Sequence, residues 1–328
     1  MTEQGFVMTI IDSHCHLNFP EYKDDQENII ADCLKKGIGL INIGTSLKTS
    51  TEVFNLANQY PNKPIYAAIG LYPSHCSDTD YDAHEQALKD PDIFFNPALY
   101  QKLIDADINK KIVAVGEIGL EYSYVPSGRD LAEIKSLQRQ GFIDQLNFAG
   151  KNNLPVILHA RGSKEKPDDA YEDMLEILTA FLSSSRKRGS HGLGDETQDS
   201  RWSLPRTAIR GGNDSNLKGV LHCFSSTIEI AQKFLDLGFY LGFTGIITFK
   251  NKSVDNLRKV VKLISLEKIL VETDAPYLTP EPHRGEINKP QNVTLVAQKI
   301  AELKNISYGE VCKITTNNVK NLFLCFNV

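Results

Sequence analysis

The sequence predicts a single (β/α)8 barrel of the TIM type, and three observations support this prediction. Short runs of apolar residues alternate with longer helical patterns along the whole chain. Eight of these runs are continuously apolar, as expected for parallel strands buried on both faces. A length of 328 residues suits one such barrel with insertions. We expect residues 1–328 to form one domain, with a doubly wound open sheet as the alternative fold.

Each strand is predicted where a β-branched run meets a glycine or a polar residue, and each helix where apolar residues recur every three or four positions. Glycine or proline marks several helix ends, as at Gly37 and before Pro61. The predicted strands are residues 9–14, 40–44, 65–70, 111–117, 156–159, 219–222, 240–244 and 269–272. The predicted helices are residues 26–36, 51–59, 97–106, 131–151, 171–182, 228–237, 254–264, 291–303 and 308–324.

One segment, residues 183–216, breaks the alternation between the fifth helix of the repeat and the sixth strand. It is rich in serine, glycine, arginine and aspartate and has no apolar periodicity. A structureless stretch of this length is uncommon inside a compact domain. We expect a flexible, solvated surface insertion. The alternative is a nucleic-acid contact through the basic residues Arg186, Lys187 and Arg188. Acidic residues in the same segment partly cancel their positive charge.

Composition limits the possible functions. With 41% apolar and 23% charged residues, the chain resembles a soluble globular protein, and it lacks the run of about 18 apolar residues that would span a membrane. The six cysteines form no C-x-x-C pair, which favours free thiols in the cytoplasm. A net charge of −5 argues against wrapping DNA on a basic surface, but bound metal ions could still attract an anionic substrate. No obligate protein partner is expected.

Residues of metal-binding types stand at the ends of the predicted strands. An isolated His-x-His is more often structural, but here four further candidates follow downstream. Strand ends converge at one mouth of a barrel, and alternate residues of a strand point the same way. Four imidazoles and two carboxylates exceed the three protein ligands of a single catalytic zinc ion and suit two ions bridged by one carboxylate. The six candidates are His14, His16, Glu117, His159, His222 and Asp274.

Cys15 and Cys223 each adjoin a candidate ligand. Because neighbouring residues of a strand face opposite sides, both are expected to be buried packing residues.

Five motifs, in this order, resemble those of the TatD family of metal-dependent deoxyribonucleases and cover nearly the whole chain. They are Asp12-Ser13-His14-Cys15-His16, Gly116-Glu117-Ile118-Gly119-Leu120, His159-Ala160-Arg161, His222-Cys223-Phe224-Ser225 and Glu272-Thr273-Asp274-Ala275-Pro276-Tyr277-Leu278. The resemblance implies an amidohydrolase-like barrel that hydrolyses DNA phosphodiesters with metal-activated water. It also implies that the same six residues bind the metal, most simply two ions of Mg²⁺, Mn²⁺ or Zn²⁺. Glu117 would bridge the ions, and Asp274 would orient or deprotonate the attacking water.

The predicted substrate-binding residues depart in part from this family pattern. Tyr72 stands where the family usually has histidine, in Gly70-Leu71-Tyr72-Pro73. Our hypothesis is that His75, with Tyr72 as a neutral hydrogen-bond donor, contacts a substrate phosphate; the alternative is a solvated loop residue. Arg161 and Arg284 are candidate phosphate donors, with a salt bridge at the barrel rim as the alternative for Arg161.

Three function classes fit these residues. The first is a deoxyribonuclease of the exonuclease type, acting on single-stranded or end-accessible DNA. The second is a hydrolase of small amides, lactones or phosphoesters, because this fold supports many chemistries. The third is a non-catalytic binding protein, which the complete ligand set disfavours.

Overall fold

The structure, a computed structural model, describes residues 8–79, 94–188 and 217–324. Eight parallel strands follow each other around one sheet in chain order, so the predicted barrel is confirmed and the open sheet is wrong. Each strand pairs with the next along the chain, with helices on the connections. The strands are β1 (Ile10–Cys15), β2 (Ile38–Ile43), β3 (Ile65–Ile69), β4 (Ile112–Glu121), β5 (Val156–Arg161), β6 (Gly219–Leu221), β7 (Tyr240–Phe243) and β8 (Ile269–Val271).

The segment after β8 closes the barrel against β1. A parallel bridge joins Cys15 to Ala275. On either side of it, the Asp274 amide donates to the His14 carbonyl at 2.9 Å, and the His16 amide donates to the Ala275 carbonyl at 2.8 Å. The first candidate ligands in the sequence, His14 and His16, are thereby held beside the last one, Asp274, although about 260 residues separate them along the chain.

Strand alternation divides the core into two layers. Ile11, Ile41 and Ile157 face the barrel interior, where they pack with the C-terminal residues Leu322 and Phe323. Their neighbours on the same strands, including Ile10, Leu40 and Val156, pack outward against the helices. Because successive side chains of a strand point to opposite faces, a strand buried on both sides is mainly apolar, with polar residues where its end reaches the site. This explains the continuous apolar runs in the sequence.

The α-helices of the described residues are α1 (Gln26–Lys35), α2 (Leu47–Asn58), α3 (Pro73–Ser77), α4 (Pro97–Ala106), α5 (Leu131–Lys151), α6 (Asp169–Arg188), α7 (Ile228–Asp236), α8 (Asp255–Leu263), α9 (Val293–Lys304) and α10 (Tyr308–Val319). The last continues as a π-helical turn over Lys320–Leu324. None of them is both long and apolar enough to cross a membrane.

Most predicted boundaries agree with the structure within two residues, and three differ by four or more. Helix α2 begins four residues early, because Ser46 and Thr49 form a capping box around its first turn. Strand β4 continues past Glu117 to Glu121. Helix α6 runs to Arg188, so residues 183–188 extend a helix rather than begin the predicted insertion. The rest of that insertion, residues 189–216, lies outside the described residues, and its flexibility stays a prediction.

Gly119 is required where β4 packs directly against the backbone of β5 at His159. Its φ of +144° is rarely adopted by other residues, and an added Cβ would lie 2.0 Å from the His159 carbonyl oxygen. We expect Gly119→Ala to lower the free energy of unfolding by about 2–5 kcal/mol, through backbone strain together with overpacking. Denaturant unfolding monitored by circular dichroism measures this loss.

Gly128 offers the matched control for this substitution. Its φ is +83°, but an added Cβ would meet no atom of the described residues within 4 Å. Gly128→Ala should therefore cost only about 1 kcal/mol of backbone strain. Equal losses in the two variants would contradict a packing role for Gly119.

Candidate metal centre

The structure brings the six candidate ligands together at the carboxyl ends of the strands. His14 Nε2 lies 3.2 Å from His16 Nε2, 3.4 Å from Glu117 Oε2 and 3.6 Å from Asp274 Oδ1. On the other side of Glu117, its Oε1 lies 2.8 Å from His159 Nδ1 and 3.1 Å from His222 Nε2. Five of the six residues lie within three residues of a strand end, and Glu117 lies four residues before the end of β4, on the side of the barrel where the parallel strands end.

Glu117 divides these ligands into two groups. Its Oε2 faces His14 and His16, whereas its Oε1 faces His159 and His222. The ligand atoms of each group lie within 4.8 Å of one another. A carboxylate that points one oxygen at each of two imidazole pairs has the geometry of a bridging ligand.

The spacing of the first group fits a divalent cation. Ligand atoms about 2.0–2.2 Å from a tetrahedral zinc ion lie about 3.3–3.6 Å from one another. The Nε2 atoms of His14 and His16 lie 3.2 Å apart, and each lies 3.4–4.0 Å from the facing oxygens of Glu117 and Asp274. The His16 ring is also oriented for this role, because its Nδ1 donates to the Ile43 carbonyl at 3.1 Å and leaves the Nε2 lone pair toward the cluster.

Asp274 reaches the cluster through a turn beyond the end of β8. The sequence placed it at the strand end, but β8 stops at Val271. Asp274 has a left-handed φ of 55°, which aspartate tolerates better than most residues. Its backbone amide is bonded to the His14 carbonyl at 2.9 Å, so its carboxylate turns back toward His14 and His16.

Burial and close charges shift the pKa values within the cluster. Burial lowers the pKa of His14, and the adjacent His222 lowers it further. Burial alone would raise the pKa of Glu117, but the imidazoles of His222 and His14 outweigh this effect and hold it well below its usual range. For His222, burial is outweighed by Glu117 and Glu272, which raise its pKa well above its ordinary value. A metal ion that binds here must displace protons from imidazole.

Two buried carboxylates outside the predicted ligand set support the ligands. Asp12 accepts hydrogen bonds from the amides of His14 and Thr273 at 3.2 and 2.9 Å and so ties β1 to the segment after β8. Glu272 lies 3.2 Å from His222 Nδ1 and accepts from the Cys223 amide at 2.6 Å. A carboxylate inside an apolar strand run is costly to bury without such partners, which is the signal that could have identified both.

Glu272 is therefore placed to position the candidate ligand His222. Partners of this kind orient a metal-bound imidazole, and their loss weakens metal binding by about 10- to 100-fold. We expect Glu272→Gln to reduce metal affinity by this factor, measured by competition against a chelator of known affinity. The exposed Glu302, which pairs with Lys299 on the surface of α9, supplies the control Glu302→Gln. Unchanged affinity in Glu272→Gln would contradict the positioning role.

A second polar group surrounds His159. Its Nε2 lies 3.0 Å from Glu121 Oε2 and 3.1 Å from the Tyr72 hydroxyl. The guanidinium of Arg161 lies 3.8 Å from the same Glu121 oxygen, with 55% of its side chain exposed. Glu121 thus connects a candidate ligand to two candidate substrate-binding residues. The salt bridge considered as the alternative for Arg161 is present, but it is long and leaves the side chain open to solvent.

An open cavity of about 270 Å³ lies above the cluster. All of the candidate ligands except the fully buried His14 line it, together with Tyr72 and Arg161. Cys223 lines it as well, so its prediction as a buried packing residue was wrong. The reason is local: Cys223 has a φ of 47° and lies past the end of β6, where strand alternation no longer applies. Cys15 is fully buried, as expected.

His75 and Arg284 do not line this cavity. His75 is 1% exposed, and its Nδ1 donates to the Thr45 carbonyl at 2.9 Å. In this structure His75 is therefore neither placed to contact a substrate phosphate in the cavity nor a solvated loop residue. Pro73 begins helix α3, and His75 is turned inward on that helix. Arg284 is exposed and stacks on the ring of Phe249, 3.9 Å from its centroid.

Comparison with known proteins shows which family shares this arrangement. The family described as TatD related DNase matches residues 11–324, which include all six candidate ligands. The chain belongs to the TatD family. Its relatives include the uncharacterized metal-dependent hydrolase YabD of Bacillus subtilis, 31% identical over 96% of this chain and 98% of that protein. YcfH of Escherichia coli, described in the same words, is 31% identical over 96% of each chain.

A solved TatD structure has the same fold. The TatD homologue YJJV of Escherichia coli superposes with a TM-score of 0.70 at 25% identity and covers 96% of this chain and 98% of its own. Together with the His and Glu clusters, family membership makes the chain a metal-dependent hydrolase of the TatD type.

Proposed function

We propose that this TatD protein is a deoxyribonuclease that binds two divalent ions and removes nucleotides from the end of a single DNA strand. The observation that carries the proposal is the division of Glu117 between two groups of imidazoles at the floor of an open cavity. Two-metal sites are common in enzymes that cleave phosphodiesters. The family description, TatD related DNase, supports DNA as the substrate.

In this proposal, the candidate residues bind the two ions and accept a proton from the attacking water. His14, His16, Asp274 and one oxygen of Glu117 would hold one ion; His159, His222 and the other oxygen would hold the second. A bound divalent ion activates water as a nucleophile and neutralises charge on a phosphate oxygen. The Asp274 side chain is 16% exposed, so its carboxylate borders the cavity and is placed to take a proton from the attacking water. Mg²⁺, Mn²⁺ and Zn²⁺ are the candidate ions.

Arg161 and Tyr72 are the candidate contacts to the substrate. The Arg161 side chain is 55% exposed at the cavity, and its guanidinium can donate two hydrogen bonds to one phosphate. The Tyr72 hydroxyl lines the cavity as a neutral donor. A cavity of about 270 Å³ is at the small end of ligand sites, which favours the end of a single strand over a duplex.

The second candidate function is hydrolysis of a small amide, lactone or phosphoester, and the small cavity favours it equally.

Metal-loaded protein should be assayed on linear and circular single-stranded DNA and on a panel of small esters, amides and phosphotriesters. We expect mononucleotides from the linear strand and no cleavage of the circle. Turnover of small substrates alone would overturn the nuclease proposal, whereas cleavage of the circle would overturn the end-directed mode.

The same assay tests Arg161. We expect Arg161→Ala to raise KM for the linear strand by about tenfold, the loss of one charge-assisted contact, with the metal content unchanged. Arg129→Ala is the control, because Arg129 pairs with Glu133 on the surface of α5 and lies outside the cavity. Equal KM values in the two variants would remove Arg161 from the substrate site.

A further inference from the structure

The end of the barrel opposite the metal centre carries a second, larger recess. It has a volume of about 770 Å³ and lies where β3 and β4 begin, whereas the metal centre lies where strands end. Two loops form most of it, residues 61–64 before β3 and residues 109–111 before β4. We call it the lysine groove, and it is lined by Met8, Pro61, Asn62, Lys63, Pro64, Tyr66, Asn109, Lys110, Lys111 and Lys320.

The charge of the lysine groove has one sign. Among the residues that the structure describes, four lysines line it and no aspartate or glutamate does, in a chain whose net charge is −5. Lys63 and Lys110 are exposed, and within the described residues neither ammonium group is within 4.0 Å of a carboxylate. An anion bound beside Lys63 and Lys110 would therefore meet positive charge that no carboxylate of the described residues neutralises at close range.

Lys111 makes part of this charge rigid. It is 2% exposed, and its Nζ donates to the carbonyls of Tyr60 at 2.7 Å and Lys63 at 2.8 Å, which ties the two loops together. The nearby Asp107 carboxylate is occupied by the backbone amides of Lys111 and Ile112, at 2.8 and 2.7 Å. The two carbonyl acceptors fix the Lys111 ammonium in place at the wall of the groove, while burial lowers its pKa and the nearby Asp107 raises it.

We propose that the lysine groove binds a phosphate-bearing anion. Ammonium groups are strong point-charge partners for phosphate, and the amide of the exposed Asn62 adds a neutral donor at the same wall. Tyr66 is partly exposed beside Lys111, 5.3 Å from Nζ to the ring centroid, and offers an aromatic surface to a base or sugar. The volume lies within the range of small-ligand sites. This site is separate from the metal centre and does not depend on the proposed nuclease activity.

Calorimetric titration of the full-length protein with pyrophosphate and with dAMP tests the proposal, with bound metal and again after chelation. We expect saturable binding under both conditions. In the double variant Lys63→Ala with Lys110→Ala, binding should be weaker by at least about tenfold, since two charge-assisted contacts are lost. Replacing both residues by arginine should retain it. Equal affinities for pyrophosphate and dAMP would show that the groove recognises phosphate alone. Tighter binding of dAMP would show that it recognises a nucleotide.

The control is the double variant Lys259→Ala with Lys262→Ala, which removes the same charge from exposed positions on α8. Its affinities should match those of the unmodified protein within about twofold, and so should the hydrolytic activity of both alanine variants. No binding of either ligand, or the same loss in the control, would overturn the proposal. Failure of hydrolysis in the unmodified protein would bear on the nuclease proposal and leave this one intact.

Discussion

Hydrolysis is expected to fall by at least about 10³-fold when divalent metal is removed, and to return when Mg²⁺, Mn²⁺ or Zn²⁺ is added. The structure places four imidazoles and two carboxylates close together. Of the described residues that line the cavity above this cluster, Arg161 is the only lysine or arginine. Without a bound cation, the cluster lacks the divalent charge that lowers the pKa of an attacking water. Initial rates on a labelled oligonucleotide, with metal content measured on the same samples, test this expectation.

Thermal unfolding supplies a readout that does not depend on activity. An ion that binds only the folded chain stabilises it according to its affinity and concentration, so the Tm should rise on adding metal. A variant lacking His14 and His16 should show a smaller rise, because the ligands on one side of Glu117 are lost. Full activity in protein shown to be metal-free would refute metal dependence.

Asp274→Asn is expected to lower kcat by about 10³-fold while changing KM by less than about threefold. Burial alone would raise the pKa of Asp274, but the hydrogen bond from His16 and the charge of His222 outweigh it and lower the pKa. The carboxylate is therefore ionised near neutral pH and can accept a proton from water. Asparagine has the same shape but cannot take that proton, so the loss falls on the chemical step. Steady-state kinetics on the linear strand measure it.

The control for Asp274 is Asp236→Asn, at the exposed end of α7, which should leave kcat unchanged. Metal content must be measured in both variants, because Asp274 is also a candidate ligand. If Asp274→Asn retains metal but keeps a near-normal kcat, then Asp274 does not act on the water.

Local sequence patterns were reliable where the structure depends on neighbouring residues. Alternation along β1 correctly placed His14 and His16 on one side, and the apolar runs correctly located the eight strands. Boundaries failed where a side chain decided them. Ser46 began α2 earlier than its apolar pattern suggested, because capping satisfies backbone amides whatever the hydrophobic period.

Two predictions that fall beyond strand ends, for Cys223 and His75, failed. Cys223 and His75 both lie past the last paired residue of a strand, where a turn rather than the pleat sets the side-chain direction. The supporting carboxylates Asp12 and Glu272 were missed for a related reason. Their partners, Thr273 and His222, come from other parts of the barrel, and only its closure brings them within hydrogen-bond distance.

The barrel, the family and the six candidate ligands could all be inferred from the amino-acid sequence, because strand periodicity and ligand type are properties of short segments. The division of those candidate ligands into two groups around Glu117 could not be inferred from the sequence. Glu117 points one oxygen toward β1 and the other toward β5 and β6 because the barrel surrounds it with strands far apart in sequence. The packed barrel likewise places His75 away from the cavity and gathers four lysines at the opposite end. Such arrangements depend on how distant segments pack, which no local pattern encodes.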